Sequence, residues 1–146
     1  MINKLIVLAL CLAIGNVSFA QDNKGKIKII IAGIKNTNGQ VLISLHNKEE
    51  GFPGTKEHSL LNRALEIKGD TVECEFAKLP YGDYAVAIFH DENSDFKMDT
   101  NMFGMPKEGI GISNDAYKMM GPPDYDEAKF DLNGDEKVIH INMHYY

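Results

Sequence analysis

The sequence contains no tryptophan and only two cysteines in 146 residues. Cys11 lies in an N-terminal segment that we expect to be removed, so Cys74 is the one cysteine of the remaining chain. One thiol cannot form an internal disulfide, and a domain of this length can bury enough surface to fold without one. Val72, Cys74 and Phe76 share one face of a predicted strand, and polar residues share the other. We therefore expect Cys74 to be buried and unreactive, since reactive thiols need basic surroundings.

The chain also lacks clustered positive charge. Its formal net charge is -6, with 15 Lys and Arg against 21 Asp and Glu, and no stretch concentrates the basic residues. Binding to nucleic acid or to an anionic membrane surface depends on such clusters, so the sequence argues against both partners. Ordinary glycine and proline content, with 44% hydrophobic residues, favours one folded domain over a disordered chain.

Long apolar runs are absent except near the N-terminus, where residues 5–14 are all apolar. A transmembrane helix needs about 20 apolar residues, so we do not expect a membrane span. A lysine precedes the run, and small residues follow it at the two positions that a signal peptidase reads, ending at Ala20. Residues 1–20 are therefore predicted to be a signal peptide cleaved after Ala20, which makes the product periplasmic or secreted. Lipid modification of Cys11 is the alternative, but Leu10 stands where that pathway normally needs a small residue.

After the signal peptide the pattern is one of short strands separated by turn signals. Residues 26–46 alternate on both sides of an Asn-Thr-Asn-Gly turn and predict a hairpin. Further hairpins are predicted at residues 65–76 and 128–145, and residues 84–90 are apolar enough to form a central strand. Only residues 62–66 are a candidate for a short helical turn. The pattern predicts an all-β fold, a seven-stranded antiparallel sandwich of the transthyretin-like or immunoglobulin-like type.

One stretch of the predicted single domain, residues 21–146, does not follow this rhythm. Residues 91–126 contain seven glycines and prolines and no clear strand. Unstructured stretches of this length in compact domains are usually functional or disordered. Because this one carries several large apolar side chains, we expect a long ordered and packed loop. Those side chains are Phe96, Met98, Met102, Phe103, Met105 and Ile110. Negative charge is also concentrated here, since 12 of the 21 acidic residues lie between positions 91 and 136.

Residues 79–86, with the sequence Leu-Pro-Tyr-Gly-Asp-Tyr-Ala-Val, resemble the LPxGxYxV signature of transthyretin-like and carboxypeptidase-regulatory-like sandwiches. In such a segment Leu79 fills the core and the Pro-x-Gly stretch turns the chain. Tyr84 then begins a central strand, with its hydroxyl free to bond the main chain of the turn. The resemblance implies a sandwich and carries no information about chemistry.

Further motifs follow one another along the chain. They are Gly51-Phe52-Pro53, the signature at 79–86, His90-Asp91-Glu92-Asn93, Asp99, the Gly-Met-Pro-Lys-Glu-Gly stretch at 104–109, Ser113-Asn114, and the stretch 123–130. This ordered set resembles the bacterial domain-of-unknown-function 2141 family. The resemblance implies a small exported β-sandwich and no assigned activity. The sequence departs from the family in its acidic loop, where Asp95-Phe96 replaces the usual Asn-Gly pair.

The stretch from Asp91 to Asp99 carries the clearest chemical pattern. Asp91, Asn93, Asp95 and Asp99 place oxygen-bearing side chains at relative positions 1, 3, 5 and 9. With a main-chain carbonyl at position 7, here Lys97, this is the spacing by which an EF-hand-type loop surrounds Ca²⁺. A phenylalanine stands at position 6, where glycine permits the turn, and a methionine at position 12, so another carboxylate must complete the shell. The candidates for that carboxylate are Glu108, Asp124 and Asp126. The sequence thus leaves two interpretations open: an acidic turn that binds no metal, which the missing glycine and the missing closing carboxylate favour, and a calcium site.

Two functions stay open. The first is an exported, non-catalytic binding or structural module of the cell envelope, supported by Ca²⁺ at the acidic loop. Its partner would be an envelope protein, a peptide or a glycan. The alternative is a small periplasmic hydrolase that uses the loop carboxylates and His90, which ends the predicted central strand. A hydrolase needs these groups to converge on a concave site, whereas a sandwich of this type is not expected to have a deep cleft. The geometry of any pocket therefore discriminates between the two functions.

Overall fold

The computed structural model describes residues 23–54, 56–118 and 121–146. The predicted signal peptide, residues 1–20, lies outside the described residues. Within the described part the chain forms eight strands and one short α-helix. These elements are β1 (Lys24–Ala32), β2 (Gln40–His46), β3 (Leu61–Glu66), β4 (Thr71–Pro80), β5 (Gly82–Asp91), β6 (Ile110–Ile112), α1 (Tyr125–Ala128), β7 (Phe130–Leu132) and β8 (Glu136–Asn142). Short 3-10 turns lie at Lys56–His58 and Ser113–Asp115. Of these described helices, none has the length and apolar character that crossing a bilayer requires.

The strands form two sheets packed against each other. The smaller sheet has the order β4-β1-β8, and the larger one has the order β3-β2-β5-β6, with β7 paired to the start of β5. Neighbouring strands are antiparallel except β1 and β8, which run parallel. The prediction of an all-β sandwich is therefore confirmed. The structure has eight strands where the sequence pattern indicated seven, and it has one parallel pair that the pattern did not indicate.

Alternating apolar residues from both sheets fill the space between them. Ile27, Ile29 and Ile31 of β1 are fully buried, and the alternate apolar residues of β2 close the core from the other sheet. Burying each such side chain contributes roughly 1.5–3 kcal/mol. Cys74 lies on the core face of β4 and is buried, as predicted. Its burial raises the pKa of the thiol, because the charged thiolate is poorly solvated there.

None of the three predicted hairpins forms. β1 and β2 lie in opposite sheets, as do β3 and β4, while β7 pairs with β5 and β8 pairs with β1. At each of these turns the chain crosses from one sheet to the other. A turn signal specifies that the chain reverses direction, but it does not specify which strand becomes the hydrogen-bonding partner. Two strands that are each apolar on one face can bury those faces against each other from opposite sheets. The candidate helical turn at residues 62–66 is also wrong, because these residues form most of β3.

The central strand is β5, as predicted. It pairs with β2, β6 and β7, and residues on both of its faces are buried. Leu79 is buried in the core just before it, and the Tyr84 hydroxyl donates a hydrogen bond to the carbonyl oxygen of Pro80 at 2.7 Å. Both contacts are those expected of the signature at residues 79–86.

A second apolar cluster covers part of the outer face of the larger sheet. Its buried members are Ala85, Ala87, Ile112, Tyr125 and Ala128. Ser113 is fully buried and joins the layers, because its Oγ accepts a hydrogen bond from the Val86 amide at 2.9 Å and donates one to the Ala128 carbonyl at 2.6 Å. This second layer explains why β5 is apolar on both faces.

The expectation of an ordered, packed loop at residues 91–126 is only partly met. The segment includes β6 and the turn Ser113–Asp115, so it is not without regular structure. Phe96 and Met105 are 56% and 37% exposed, so the expected packing is wrong for both. It is most clearly wrong for Met102 and Phe103, which are 95% and 88% exposed. They lie at the tip of a tight turn, in which Oδ1 of Asn101 accepts hydrogen bonds from the amides of Phe103 and Met105.

Candidate functional site

The acidic loop begins at the end of β5, where Asp91 is fully buried. Its carboxylate accepts hydrogen bonds from the Gln40 side-chain amide at 2.8 Å and from the main-chain amides of Asp95 and Phe96 at 3.1 Å each. A buried carboxylate needs such donors, since an unpaired one would be costly to desolvate. Asp91 therefore ties the loop to β2 and sets the direction in which the chain turns.

Glu108 is a second buried carboxylate that holds the same loop. Its two oxygens accept hydrogen bonds from the amides of Glu92 at 2.9 Å and Asp99 at 3.0 Å. Of the three candidates for an extra carboxylate, Glu108 alone contacts residues 91–99 through a hydrogen bond in the described part of the chain. Asp124 and Asp126 instead form ion pairs with Lys118 and Lys129.

The remaining predicted metal ligands are exposed. Oδ1 of Asn93 accepts a hydrogen bond from the Asp95 amide, and Oδ1 of Asp95 accepts one from the Lys97 amide. The Asn93 side-chain amide donates to the Asp99 carboxylate at 3.2 Å. Among the described residues no group of three or more His, Cys, Asp or Glu side chains is arranged to hold a metal ion. Calcium binding also uses amide and carbonyl oxygens, and here it stays a prediction.

Phe96 occupies the position at which glycine usually permits the turn. Its φ is +63°, in the left-handed region that costs an ordinary residue about 1–2 kcal/mol. The loop therefore adopts the glycine-type turn with a phenylalanine in it. The Phe96 side chain is 56% exposed and lines the groove described below.

His90 lies on the opposite face of β5 from Asp91 and is fully buried. Its Nε2 lies 2.7 Å from the Asn38 carbonyl oxygen, which can only accept, so Nε2 carries the proton. Nδ1 lies 2.9 Å from the Tyr145 hydroxyl, and that hydroxyl accepts a hydrogen bond from the Lys35 amide at 3.0 Å. Through these hydrogen bonds His90 connects β5 to Asn38 and to Tyr145 and has a structural role.

A groove of about 780 Å³ lies on the outer face of the larger sheet. Its floor consists of two rows of cross-strand neighbours. One row is Ala64, Leu42, Phe89 and Ile110, and the other is Asn62, Ser44, Ala87 and Ile112. The two rows make the floor mostly apolar. Its two polar side chains are hydrogen-bonded to each other, because the Ser44 hydroxyl donates to Oδ1 of Asn62 at 2.8 Å.

Residues outside the floor line the sides of the groove. The acidic loop contributes Phe96, Lys97 and Met98, and the following turn contributes Thr100, Met105 and Pro106. The lining also includes Pro53, Gly54, Tyr117, Lys118, residues 121–123 and Tyr146. The acidic loop therefore does more than carry charge. Its backbone, held by Asp91 and Glu108, positions one wall of the groove.

The groove is the feature that sequence reasoning missed, since no deep cleft was expected. The available signal is the apolar character of β5 on both faces together with Leu42 on the polar side of β2. Such a pattern indicates that the outer face of the sheet is covered. It does not indicate how much of that face is covered. In the structure a packed layer covers one part of the face, and an open groove lies beside it.

These features define a class of protein, a two-sheet β-sandwich whose larger sheet carries a second apolar layer and an adjoining groove. The family model described as an uncharacterized protein conserved in bacteria, DUF2141, matches residues 29–140, and the chain belongs to this family. The resemblance found in the sequence motifs is thereby confirmed. Comparison with curated proteins and with solved structures gives no match. The matched range contains the whole groove floor and the acidic loop.

Proposed function

We propose that this protein is an exported, non-catalytic binding module of the cell envelope that holds an apolar ligand in the groove of its larger sheet. The observation that carries the proposal is the groove, a concave and mostly apolar surface of about 780 Å³. Ligand sites in proteins are typically concavities of about 300–1,000 Å³, lined by apolar side chains with a few polar groups. The floor lies on four hydrogen-bonded strands, which gives it the rigidity that a preformed site needs.

The lining favours an apolar ligand over a glycan, which would require many side-chain donors and acceptors. Export is supported by the signal-peptide pattern of residues 1–20. Material recovered from the periplasm of a Gram-negative host should begin at Gln21, and intact mass analysis that finds Met1 on most of it would contradict export by this route.

The geometry does not favour the alternative of a small hydrolase. No Asp, Glu or His belongs to the described lining of the groove. His90 is buried on the other face of β5, with both ring nitrogens hydrogen-bonded, and Asp91 is engaged with amides of its own loop. The carboxylates and His90 therefore do not converge on the concave surface, as a hydrolase would need.

Calcium has a supporting role in this proposal. Asp91 accepts a hydrogen bond from the amide of Phe96, and Phe96 and Met98 line the groove. A Ca²⁺ ion held by Asp91, Asn93, Asp95, the Lys97 carbonyl and Asp99 would fix the same backbone. Ligand affinity should then rise with Ca²⁺, because a more rigid wall loses less entropy when the ligand binds.

A neutral dye whose fluorescence rises in apolar surroundings, such as Nile red, tests the groove directly. We expect saturable binding of one dye molecule by the mature protein. Ala64→Trp should abolish it, because residue 64 is an exposed member of the floor and the indole would fill the space above Leu42 and Phe89.

The matched control is Ala77→Trp, which adds the same side chain at an exposed position of β4 in the other sheet. It should bind the dye as the unsubstituted protein does. The proposal fails if the mature protein shows no saturable binding, or if both tryptophan variants bind equally well.

A further inference from the structure

The charged residues that line the groove differ in sign from the net charge of the chain. The whole sequence has a net charge of -6. The described lining of the groove nevertheless contains three cationic residues, Arg63, Lys97 and Lys118, and no acidic one. A ligand lying in this groove therefore meets cationic side chains and no carboxylate among the described lining residues.

Two of the three cations are already engaged. Lys118 forms ion pairs with Asp124 and with Glu127, the latter at 3.7 Å. The guanidinium of Arg63 lies over the ring of Phe76, 5.2 Å from its centroid, on the core side of β3. Both cations are therefore held by contacts within the protein.

Lys97 is different. In the described part of the chain its ammonium group makes no ion pair and no hydrogen bond, although Asp95 and Asp99 are close in sequence. Its neighbours Phe96 and Met98 both line the groove. A lysine can lay its aliphatic stem along an apolar wall while its charge stays at the edge. An anion there would be attracted more strongly than in bulk water, because the adjoining wall has a low dielectric constant.

We propose that the ligand of the groove is an anionic amphiphile, an apolar chain that carries a carboxylate head, and that Lys97 binds the head. This proposal rests on the proposed function and adds the charge and shape of the ligand. The apolar floor accommodates the chain and the cation at the rim sets its direction. The groove thereby discriminates against neutral and cationic amphiphiles with the same chain.

Three probes with one chain length test this inference: dodecanoate, 1-dodecanol and dodecyltrimethylammonium. Each is titrated calorimetrically into the mature protein at low ionic strength, with the two ionic probes kept below their micelle concentrations and 1-dodecanol kept below its solubility limit. We expect dodecanoate to bind about twofold to fivefold more tightly than dodecanol, which lies within the range for one exposed charge pair, and the cationic probe to bind most weakly. Added salt should reduce the difference, because it screens the charge.

Lys97→Met should lower the affinity for dodecanoate to that for dodecanol and leave the affinity for dodecanol unchanged, whereas Lys97→Arg should keep the preference. The control is Lys107→Met, an exposed lysine of the same segment that does not line the groove. Equal binding of the three probes, or an equal loss in both methionine variants, overturns the inference while the apolar groove stands. If none of the probes binds, the proposed function fails as well.

Discussion

Replacing His46 with leucine should stabilise the protein, and the gain should grow in mild acid. His46 ends β2 on the outer face of the larger sheet and is fully buried. Neither ring nitrogen has a hydrogen-bond partner within the described residues. The ring packs edge-on against Phe52 with centroids 5.2 Å apart, and Phe52 packs in the same way against Tyr125.

The size of the effect follows from these contacts. A buried polar atom without a partner costs about 1–3 kcal/mol, and His46 has two such atoms. Leucine removes both, but it loses the edge-on contact with Phe52, which contributes about 0.5–1.5 kcal/mol, and it must repack in a cavity shaped for a ring. We therefore expect His46→Leu to raise the free energy of unfolding by about 1 kcal/mol at about pH 7.5.

Acid should increase this difference. Burial lowers the pKa of His46 below its ordinary value of 6.5, because the charged ring is poorly solvated. A proton therefore binds the unfolded chain more readily than the folded one. The part of the stability that depends on His46 is fully present above the pKa that His46 has in the unfolded chain. It is lost as the pH falls below that value, towards the lower pKa that His46 has in the folded protein. From about pH 7.5 to about pH 5.5 the loss caused by this group is at most about 1.4 kcal/mol.

Urea unfolding of both proteins at about pH 7.5, 6.5 and 5.5, at constant ionic strength, measures these terms. The difference between the two curves isolates His46 from the other titrating groups. His140→Leu, at an exposed position of β8, controls for replacing a histidine and should change stability by less than about 0.5 kcal/mol at the highest pH. A destabilised His46→Leu protein, or a difference that does not grow in acid, would refute the reasoning.

Three further outcomes are expected. Ca²⁺ at tenfold its dissociation constant should raise the free energy of unfolding by about 1.4 kcal/mol, and Asp99→Ala should abolish that increase. Phe96→Gly should strengthen Ca²⁺ binding, because glycine relaxes the turn. Melting temperatures that do not depend on Ca²⁺ at fixed ionic strength would contradict the calcium prediction. Gly39→Ala should lower the free energy of unfolding in urea by about 2 kcal/mol or more, because φ is +63° and the added Cβ would collide with the main-chain oxygen of Asp91. The control is Gly69→Ala, whose added Cβ meets nothing within 4 Å. Its free energy of unfolding should stay within about 1 kcal/mol of that of the unsubstituted protein. A maleimide should label Cys74 at least about tenfold more slowly in the native protein than in urea, because the thiol is buried and its pKa is raised. Rapid labelling of the native protein would show that Cys74 is wrongly assigned to the core face of β4.

Several features could be predicted because they depend on neighbours along the chain. The alternation of Ile27, Ile29 and Ile31 identifies the buried face of β1, since side chains of a strand point to opposite sides in turn. The same argument places Cys74 on a buried face. The signature at residues 79–86 indicates the turn before a central strand, and the Tyr84 hydroxyl makes the bond expected of it. Each of these inferences uses only a few consecutive residues.

The partners of the strands and the cover of the outer face were decided by the tertiary structure. Leu42, Phe89 and Ile110 are distant in the sequence and become one row of the groove floor only because β2, β5 and β6 pair in that register. Alternation places His46 on the face opposite the core, but it is buried because segments containing Phe52 and Tyr125 fold over that face. The alternating pattern determines which face of a strand a side chain occupies. What lies against that face depends on contacts between distant segments, and no local stretch of sequence contains the energies of those contacts.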